Sequence, residues 1–194
     1  MVHVRAIKQI LRYLKGTRDL GVTLRKGTDT IVLEAYCDAD FAGEAQENEH
    51  PMHSLSGIVL YLKNIGQFYS QSTIQKTISR STSEAEYRAA GHASTIVSAH
   101  RNFLAEIGMT QTNPTTIWED NQSCIAMTKS VICSSKARHI KLDHHYIRQQ
   151  VKEKEVELKY CPTSEMIADI LTKALPKDRF LYLRAKLLGG IDKI

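Results

Sequence analysis

The sequence has few cysteines, and they form no recognisable pair. Four cysteines are present among 194 residues, and no two of them stand in a C-x-x-C arrangement: Cys37, Cys124, Cys133 and Cys161. This spacing argues against a cysteine zinc site or a dithiol redox site. Nothing in the sequence indicates an oxidising compartment, and a chain of this length can bury a core without disulfides, so we expect free thiols that are mostly buried.

Long hydrophobic runs are also missing. No apolar stretch approaches the roughly 20 residues needed to span a bilayer, and residues 1–5 (MVHVR) do not start a secretory signal. There is no internal repeat or low-complexity tract. Hydrophobic residues make up 42% and charged residues 24% of the chain, which argues against a disordered tail or a membrane protein. The sequence therefore predicts one intracellular domain with short extensions.

Positive charge is concentrated at the two ends of the chain, although the net charge is only +5. Residues 1–27 carry seven basic side chains against one acidic, residues 171–194 carry six against two, and the remainder carries 13 against 18. An acidic centre would repel nucleic acid unless cations lie among its carboxylates. The acidic centre therefore needs a chemical explanation.

The hydrophobic pattern predicts a mixed α/β protein. A basic amphipathic helix comes first, with apolar residues at helical spacing between positions 4 and 14 and a stop at Gly16. We expect it to dock on the core through its apolar face, with nucleic-acid contact as the alternative. Strands are predicted at 30–37, 57–62, 67–71, 115–118 and 156–160, and helices at 81–107, 121–129, 140–154, 164–173 and 177–188. This order is typical of a mixed sheet.

Carboxylates occur where several predicted elements would meet at one edge of this sheet. Asp38 ends the first strand, and parallel pairing would place Asp120 beside it. Glu86 lies in the first turns of the long helix, and Asp169 lies in the helix near the end of the core. Each acid alone is explained by capping or solvation. Together they suit Mg²⁺ or Mn²⁺, and two such ions about 4 Å apart can clamp both oxygens of a phosphoryl displacement.

Seven short motifs, in order, support a more specific interpretation. They are YCDADFAG (36–43), SG (56–57), QKT (75–77), SEAEYR (83–88), DNQS (120–123), RHI (138–140) and ADILTK (168–173). Together they resemble the ribonuclease H domain of copia-type LTR retrotransposon Pol polyproteins, and ILRYLKGT (10–17) resembles the junction with the reverse transcriptase. The resemblance covers nearly the whole chain. It predicts a junction helix at 1–27, an RNase H domain at 28–175 and a basic helical tail at 176–194.

The resemblance implies an RNase H-like α/β fold, a five-stranded mixed sheet in the order 3-2-1-4-5 flanked by helices. It also implies four catalytic, metal-binding carboxylates: Asp38, Glu86, Asp120 and Asp169. By the same resemblance, Asp38 bridges two ions and Asp169 helps hold the ion that activates water. Glu86 and Asp120 hold the ion at the leaving 3′ oxygen. Three nearby acids are expected to be supporting or solvated groups: Asp40, Glu84 and Glu119.

The implied substrate is the RNA strand of an RNA–DNA hybrid, cut with two Mg²⁺ or Mn²⁺ ions bound to leave 3′-hydroxyl and 5′-phosphate ends. Asn121 and Gln122 stand at a helix start, where they can contact RNA 2′-hydroxyls or cap the helix. Four side chains are candidates for phosphate contacts, with a solvated surface as the alternative: Lys76, Arg80, Arg138 and His139. The implied partner is the reverse transcriptase module of the same polyprotein. We expect cytoplasmic virus-like particles as the location, with the nucleus as the alternative.

Two loops bear on how closely the chain follows this pattern. Residues 47–55 (ENEHPMHSL) are more acidic than the family usually is before its Ser-x-Ser-Gly element, which would weaken substrate binding there. Residues 161–165 (CPTSE) lack the histidine that cellular and retroviral relatives use for proton movement or product release, and in this they resemble the copia branch. Four residues are candidates to replace that histidine, with ordinary surface or core roles as the alternative: Glu165, His139, His144 and His145.

The main functional hypothesis is a metal-dependent endoribonuclease acting on RNA–DNA hybrids. The alternative is a catalytically silent or domesticated domain that binds nucleic acid or a polymerase without cutting. The complete acidic set favours the enzyme, because a non-catalytic domain gains nothing from mutually repelling carboxylates beside its ligand. Cleavage of a labelled hybrid distinguishes the two.

Overall fold

A computed structural model describes residues 2–27, 31–42, 53–129 and 141–189 of the chain. The helices are α1 (Val2–Gly16), α2 (Thr82–Glu106), α3 (Gln122–Lys129), α4 (Lys141–Lys152) and α5 (Lys177–Leu187). The strands are β1 (Leu33–Asp40), β2 (Leu55–Leu62), β3 (Gly66–Ile74), β4 (Thr115–Glu119) and β5 (Val156–Tyr160). Two 3₁₀ helices, Thr163–Glu165 and Ile167–Leu171, lie between β5 and α5. None of the described helices is both long and apolar enough to cross a membrane.

The five strands form one mixed sheet in the order β3-β2-β1-β4-β5. The β1–β2 and β2–β3 pairs are antiparallel, whereas β1–β4 and β4–β5 are parallel. A hairpin joins β2 to β3, and helices make the crossovers that parallel pairing requires. The predicted fold and strand order are confirmed, with β1 at the centre of the sheet.

The first strand lies three residues later than its apolar run indicated. It was expected at 30–37 but occupies Leu33–Asp40, and its ladder with β2 continues to the pair Asp40 and Leu55. Asp38 therefore lies inside β1, opposite Gly57, rather than at the end of the strand. The apolar run marks where the strand is buried, whereas pairing with β2 decides where it ends.

Small side chains line the face of α2 that packs on the sheet. Ala85 and Ala89 are fully buried against Ala39 of β1, and Ala90 and Ala93 join the main core. Because methyl groups let a helix and a sheet approach closely, the first turns of α2 lie directly beside β1. This contact places Glu86 next to the centre of the sheet.

Three of the four cysteines lie in the core. Cys37, Cys124 and Cys161 are buried free thiols, as expected. Cys133 falls outside the described residues.

Helix α1 leaves its apolar face in solvent. Val4, Ile7 and Leu11 are each more than half exposed. Near the C-terminal end of α1, the ring of Tyr13 packs edge-on against the ring of Phe180 in α5. The two ring centroids are 5.8 Å apart. The expectation that α1 docks on the core of this chain is therefore wrong. Its periodicity identifies an apolar face but does not say which surface covers it.

The segment predicted as one helix at 164–173 forms two short 3₁₀ helices instead. Met166 separates them with an extended backbone (φ −69°, ψ 98°), and its side chain is fully buried. Met166 and Ala168 pack with Val59 of β2 in a small core cluster. A straight α-helix would not supply this change of direction, so packing on the sheet overrides the helical pattern of the sequence.

Candidate active site

Four elements bring acidic side chains to one end of the sheet. β1 contributes Asp38, α2 contributes Glu86, the end of β4 leads into Asp120, and the second 3₁₀ helix contributes Asp169. Carboxylate oxygens of Asp38, Asp120 and Asp169 lie within 4.8 Å of one another, and so do oxygens of Glu86, Glu119 and Asp120. Asp120 is common to both groups. The structure thus brings together the four predicted acids and adds Glu119.

Most of these carboxylates are removed from solvent. Asp38 is 0%, Asp169 1% and Glu86 3% exposed. An isolated buried carboxylate is strongly disfavoured, so each needs a counter-charge, hydrogen-bond donors or a bound proton. The two groups meet this requirement differently.

Asp38 and Asp169 are held by cations. Lys173 Nζ donates hydrogen bonds to Asp38 Oδ1 and to Asp169 Oδ1, each at 2.8 Å. Arg179 donates to Asp169, and the Thr172 hydroxyl donates to Asp38. Burial raises the pKa of Asp38, and the Lys173 charge opposes that rise. Burial by itself lowers the pKa of Lys173, but Asp38 and Asp169 outweigh it and raise that pKa above its usual value.

Glu86 and Glu119 are held by neutral donors. Ala39 N donates to Glu86 Oε2 at 2.7 Å. Asn121 N and Cys37 Sγ donate to the two oxygens of Glu119 at 3.0 and 3.2 Å. Burial, followed by the charges of Glu119 and Asp38, raises the pKa of Glu86 to about 10, and burial raises that of Glu119 to about 8. In the absence of bound cations, these raised pKa values favour the protonated forms of Glu86 and Glu119 at neutral pH.

Gly57 allows the Asp169 segment to lie against the sheet. A Cβ atom at this position would come within 2.8 Å of both Ala168 O and Thr172 Cγ2. Because Gly57 pairs with Asp38 across the β1–β2 ladder, its missing side chain opens the space beside that carboxylate. A side chain at this position would therefore force the residues on either side of Asp169 to shift.

The remaining nearby acids have different environments. Glu84 lies at the start of α2, where its backbone N–H donates to Ser81 Oγ and its carboxylate accepts from Arg80 N and pairs with Arg88 at 3.0 Å. Glu84 is therefore a buried supporting group of the helix start. Asp40 is only partly exposed at the end of β1. Glu119 is completely buried, so of its two expected roles, supporting or solvated, solvation is excluded.

The expected nucleic-acid contacts fall into three cases. Asn121 Oδ1 accepts from Cys124 N at 3.0 Å and so caps α3, which was its alternative role. Gln122, Lys76 and Arg80 have exposed side chains. Lys76 also lines a cavity of about 510 Å³ between β3 and α2. Arg138 and His139 lie outside the described residues.

Glu165 is one of the four candidates to replace the missing histidine, and its described side-chain contacts are with α5. Its carboxylate accepts from the Tyr182 hydroxyl at 2.9 Å and from Lys186. The hydrogen bond from Lys186 lowers the pKa of Glu165. His139 and the side chains of His144 and His145 are outside the description, so a proton-transfer role stays a prediction for all four.

Glu119 was predicted only as a supporting or solvated acid, and Lys173 and Arg179 were not predicted as residues of the site. Thr115, Ile117 and Glu119 are alternate residues of β4, and all three are buried. The alternation of side chains along a strand could therefore have predicted that Glu119 points inward. Lys173 follows Asp169 by four residues, a spacing that brings side chains together on a helical turn. Nothing in the local sequence indicates that Arg179, which lies in another helix, would reach Asp169.

The fold and this acidic end define an RNase H-like domain. LC11-RNase H1, isolated from compost by a metagenomic approach, superposes with a TM-score of 0.54 over 73% of this chain and 92% of that one, at 14% identity. LC11-RNase H1 in complex with an RNA/DNA hybrid gives a TM-score of 0.52 over 72% and 93%, also at 14% identity. At such identity the likeness shows the fold alone.

Sequence comparison then identifies the family. The chain is 35% identical, over 192 residues, to the "Retrovirus-related Pol polyprotein from transposon RE1" of Arabidopsis thaliana. That match covers 99% of this chain and 13% of the relative. No protein-family profile matches the chain. The chain is homologous to a segment of retrotransposon Pol polyproteins, as its motifs implied, and it spans a small part of their length.

Proposed function

We propose that this chain is a metal-dependent ribonuclease H that hydrolyses the RNA strand of RNA–DNA hybrids during retrotransposon reverse transcription, as an endonuclease producing 5′-phosphomonoesters. The observation that carries the proposal is the convergence of four acids from four separate elements at one end of an RNase H-like sheet. The relationship to Pol polyproteins supports it, as does the fold shared with an RNase H1 that was solved with an RNA/DNA hybrid.

The donor set fits hard divalent cations. All donors are carboxylate oxygens, and each group of three lies within 4.8 Å, which suits Mg²⁺ or Mn²⁺ with water and phosphate as further ligands. Asp38, Asp120 and Asp169 would hold one ion, and Glu86 and Asp120, with Glu119 beside them, would hold the second. Bound ions of this kind stabilise charge on phosphoryl oxygens and make a nucleophile of water at neutral pH.

The chain itself fixes the carboxylates before substrate arrives. Ala39 N orients Glu86, and Asn121 N with Cys37 orients Glu119. The Thr163 hydroxyl donates to Asp120 Oδ2 at 2.8 Å. Because these donors belong to the backbone or to neighbouring elements, the carboxylates need little reorganisation during the reaction.

Substrate contacts are proposed at the start of α3 and on the surface near α2. The capping bond uses Asn121 Oδ1 and leaves its amide nitrogen as a donor for a 2′-hydroxyl, which RNA has and DNA lacks. Lys76 and Arg80 are exposed cations for phosphates of the hybrid. We retain Gln122, Arg138 and His139 as further candidates.

A cleavage assay with a labelled RNA–DNA hybrid and Mg²⁺ tests the proposal, with single-stranded RNA and duplex RNA as specificity controls. Asp38→Asn should lower the rate by at least on the order of 10²-fold. Asp178→Asn, at an exposed position of α5, makes the same chemical change away from the cluster and should cut at the parental rate. A folded Asp38→Asn protein that cuts as fast as the parent contradicts the proposal. Hybrid binding without cleavage at any Mg²⁺ or Mn²⁺ concentration supports the silent-domain alternative.

We also propose that α1 contacts the reverse transcriptase module of the same polyprotein. Its exposed apolar side chains, among them Val4, Ile7 and Leu11, are the observation that supports this. An Ile7→Glu/Leu11→Glu protein should lose binding to a separately supplied polymerase module. Lys8→Glu, a charge change on the same exposed helix outside the apolar stripe, should retain it. Equal binding by both variants contradicts this contact.

A further inference from the structure

The ammonium group of Lys173 lies between two carboxylates of the acidic cluster. Its Nζ is 2.8 Å from Asp38 Oδ1 and 2.8 Å from Asp169 Oδ1, whereas the two carboxylates are 0% and 1% exposed. Both residues belong to the group of three, Asp38, Asp120 and Asp169, that can each offer one carboxylate oxygen within 4.8 Å of the others. A protein cation therefore occupies the space toward which the candidate metal ligands converge.

An ammonium and a divalent ion cannot both occupy this space. A Mg²⁺ ion binds carboxylate oxygens at about 2.0–2.1 Å, so an ion bridging the same two oxygens would lie close to the present position of Nζ. Two cations at that separation repel strongly at the low effective dielectric of a buried site. Binding of the ion thus requires the ammonium to leave.

The surroundings of Lys173 allow such a movement. One third of its side chain is exposed, although both carboxylates are buried. Its backbone N–H donates to Asp169 O at 3.0 Å, which anchors the main chain while the flexible four-carbon side chain can turn toward solvent. Arg179, the second cation on Asp169, is also one third exposed, and its buried Nε has no hydrogen-bond partner among the described residues.

We propose that Lys173 is a built-in counter-ion that occupies the ion position between Asp38 and Asp169 in the metal-free protein and is exchanged for the divalent ion. The exchange keeps the two buried carboxylates neutralised in both states. It also weakens ion binding between Asp38 and Asp169, because an ion at that position must displace a cation already present. This inference rests on the metal site of the proposed function but concerns binding, not hydrolysis.

Binding of Mn²⁺ to the substrate-free protein, measured by electron paramagnetic resonance or calorimetry, tests the exchange. Lys173→Met should bind Mn²⁺ more tightly, on the order of tenfold, after allowance for the partial exposure of Lys173. The same variant should have a lower Tm than the parent in EDTA, and Mg²⁺ should raise its Tm by more than it raises that of the parent.

Two further variants make the result specific. Lys177→Met removes the same charge from an exposed position four residues along the chain and should bind Mn²⁺ as the parent does. Lys173→Arg keeps the charge and should show no gain in affinity. If Lys173→Met does not fold in EDTA, Arg179→Gln removes the second cation and should give a smaller gain of the same sign. Unchanged or weaker Mn²⁺ binding by Lys173→Met, or by Arg179→Gln where Lys173→Met does not fold, contradicts the exchange.

The outcomes separate this inference from the proposed function. A parent protein that cuts hybrids, with no gain in Mn²⁺ affinity in Lys173→Met, overturns the exchange and leaves the function standing. A parent that binds Mn²⁺ but does not cut, with tighter binding in Lys173→Met, supports the exchange and overturns the function. Asp38→Asn should weaken Mn²⁺ binding in either background.

Discussion

The two halves of the acidic cluster tolerate buried carboxylates in opposite ways. Asp38 and Asp169 are neutralised by Lys173 and Arg179, whereas the described hydrogen bonds to Glu86 come from a neutral backbone donor. Burial raises the pKa of Glu86 to about 10, so that half is neutralised by protons. One half therefore carries its own cations, and the other carries protons until cations are supplied.

This difference matters for metal binding. On the Asp38 side an ion must displace a protein cation, whereas on the Glu86 side it must displace protons. In both exchanges the buried carboxylates have a neutralising partner before the ion binds as well as after it, whereas bare carboxylates would be unpaired before binding. The comparison also predicts that similar substitutions in the two halves change stability with opposite signs.

Replacing one acid in each half should give the largest effect. In EDTA at pH 8, Asp169→Asn should destabilise the protein by about 1–2 kcal/mol, because two partly exposed cations lose a buried charged partner. Glu86→Gln should stabilise it by at least about 1 kcal/mol, because it removes a carboxylate whose folded pKa lies above the working pH. Urea unfolding curves measure both changes.

Cleavage assays on the same two proteins provide the control. Both should have lost hybrid cleavage by at least on the order of 10²-fold, so their opposite stabilities cannot be attributed to a difference in metal ligation. Destabilisation of similar size by both substitutions would break the comparison, because the two halves would then be held by the same kind of interaction.

The pH dependence of stability should show that the half of the cluster formed by Glu86 and Glu119 is protonated. Glu119 has a pKa of about 8 when folded against an ordinary value of 4.5. As pH rises, the unfolded chain therefore releases this proton before the folded chain does. The stability that Glu119 contributes is complete below pH 4.5 and is lost as pH rises through about 8. The Tm in EDTA should fall over this range, and Glu119→Gln should flatten the fall.

Added Mg²⁺ sharpens this measurement. Ions that bind the ionised carboxylates should reduce the fall of Tm with pH in the parent, and they should reduce it less in Glu119→Gln, which retains Glu86 alone of the two protonated acids. Parallel pH curves for the parent and Glu119→Gln in EDTA would show that Glu119 is ionised in the folded state, contrary to the rise in pKa that its burial causes.

Removing a neutral hydrogen-bond donor from Asp38, in the half of the cluster that cations neutralise, should have the smallest effect on stability. Thr172→Val removes the hydroxyl that donates to Asp38 but keeps the Lys173 bond, so we expect a loss of about 1 kcal/mol in unfolding free energy. Thr128→Val is the matched control, since its buried hydroxyl donates only within α3, to Ile125 O at 2.8 Å, and should cost less than about 0.5 kcal/mol. Equal losses would indicate that the bond to Asp38 adds nothing particular.

Local signals predicted much of the fold. Ser81 caps α2, with its Oγ accepting from Glu84 N, as the spacing of these residues indicated. The alternation at Val156–Tyr160 matches β5 in both bounds. Such elements are encoded by side chains close in sequence, which is why a single chain reveals them.

The misplaced elements depend on distant partners. β1 extends to Asp40 because β2 continues to pair with it, and the segment before α5 bends at Met166 because it packs on β2 beside Gly57. The apolar face of α1 was predicted correctly as a pattern, but its docking was not, since no sequence signal names the surface that covers it.

The sequence by itself determined the strand order implied by its motifs, the four acids and the concentration of negative charge in the middle of the chain. Only the tertiary structure decided which charges neutralise that centre. Lys173 reaches Asp38 from 135 positions away, and Glu119 is enclosed by β1 and the start of α3. Charge balance in a buried site depends on distances of a few ångströms between groups far apart in sequence, and folding alone sets those distances.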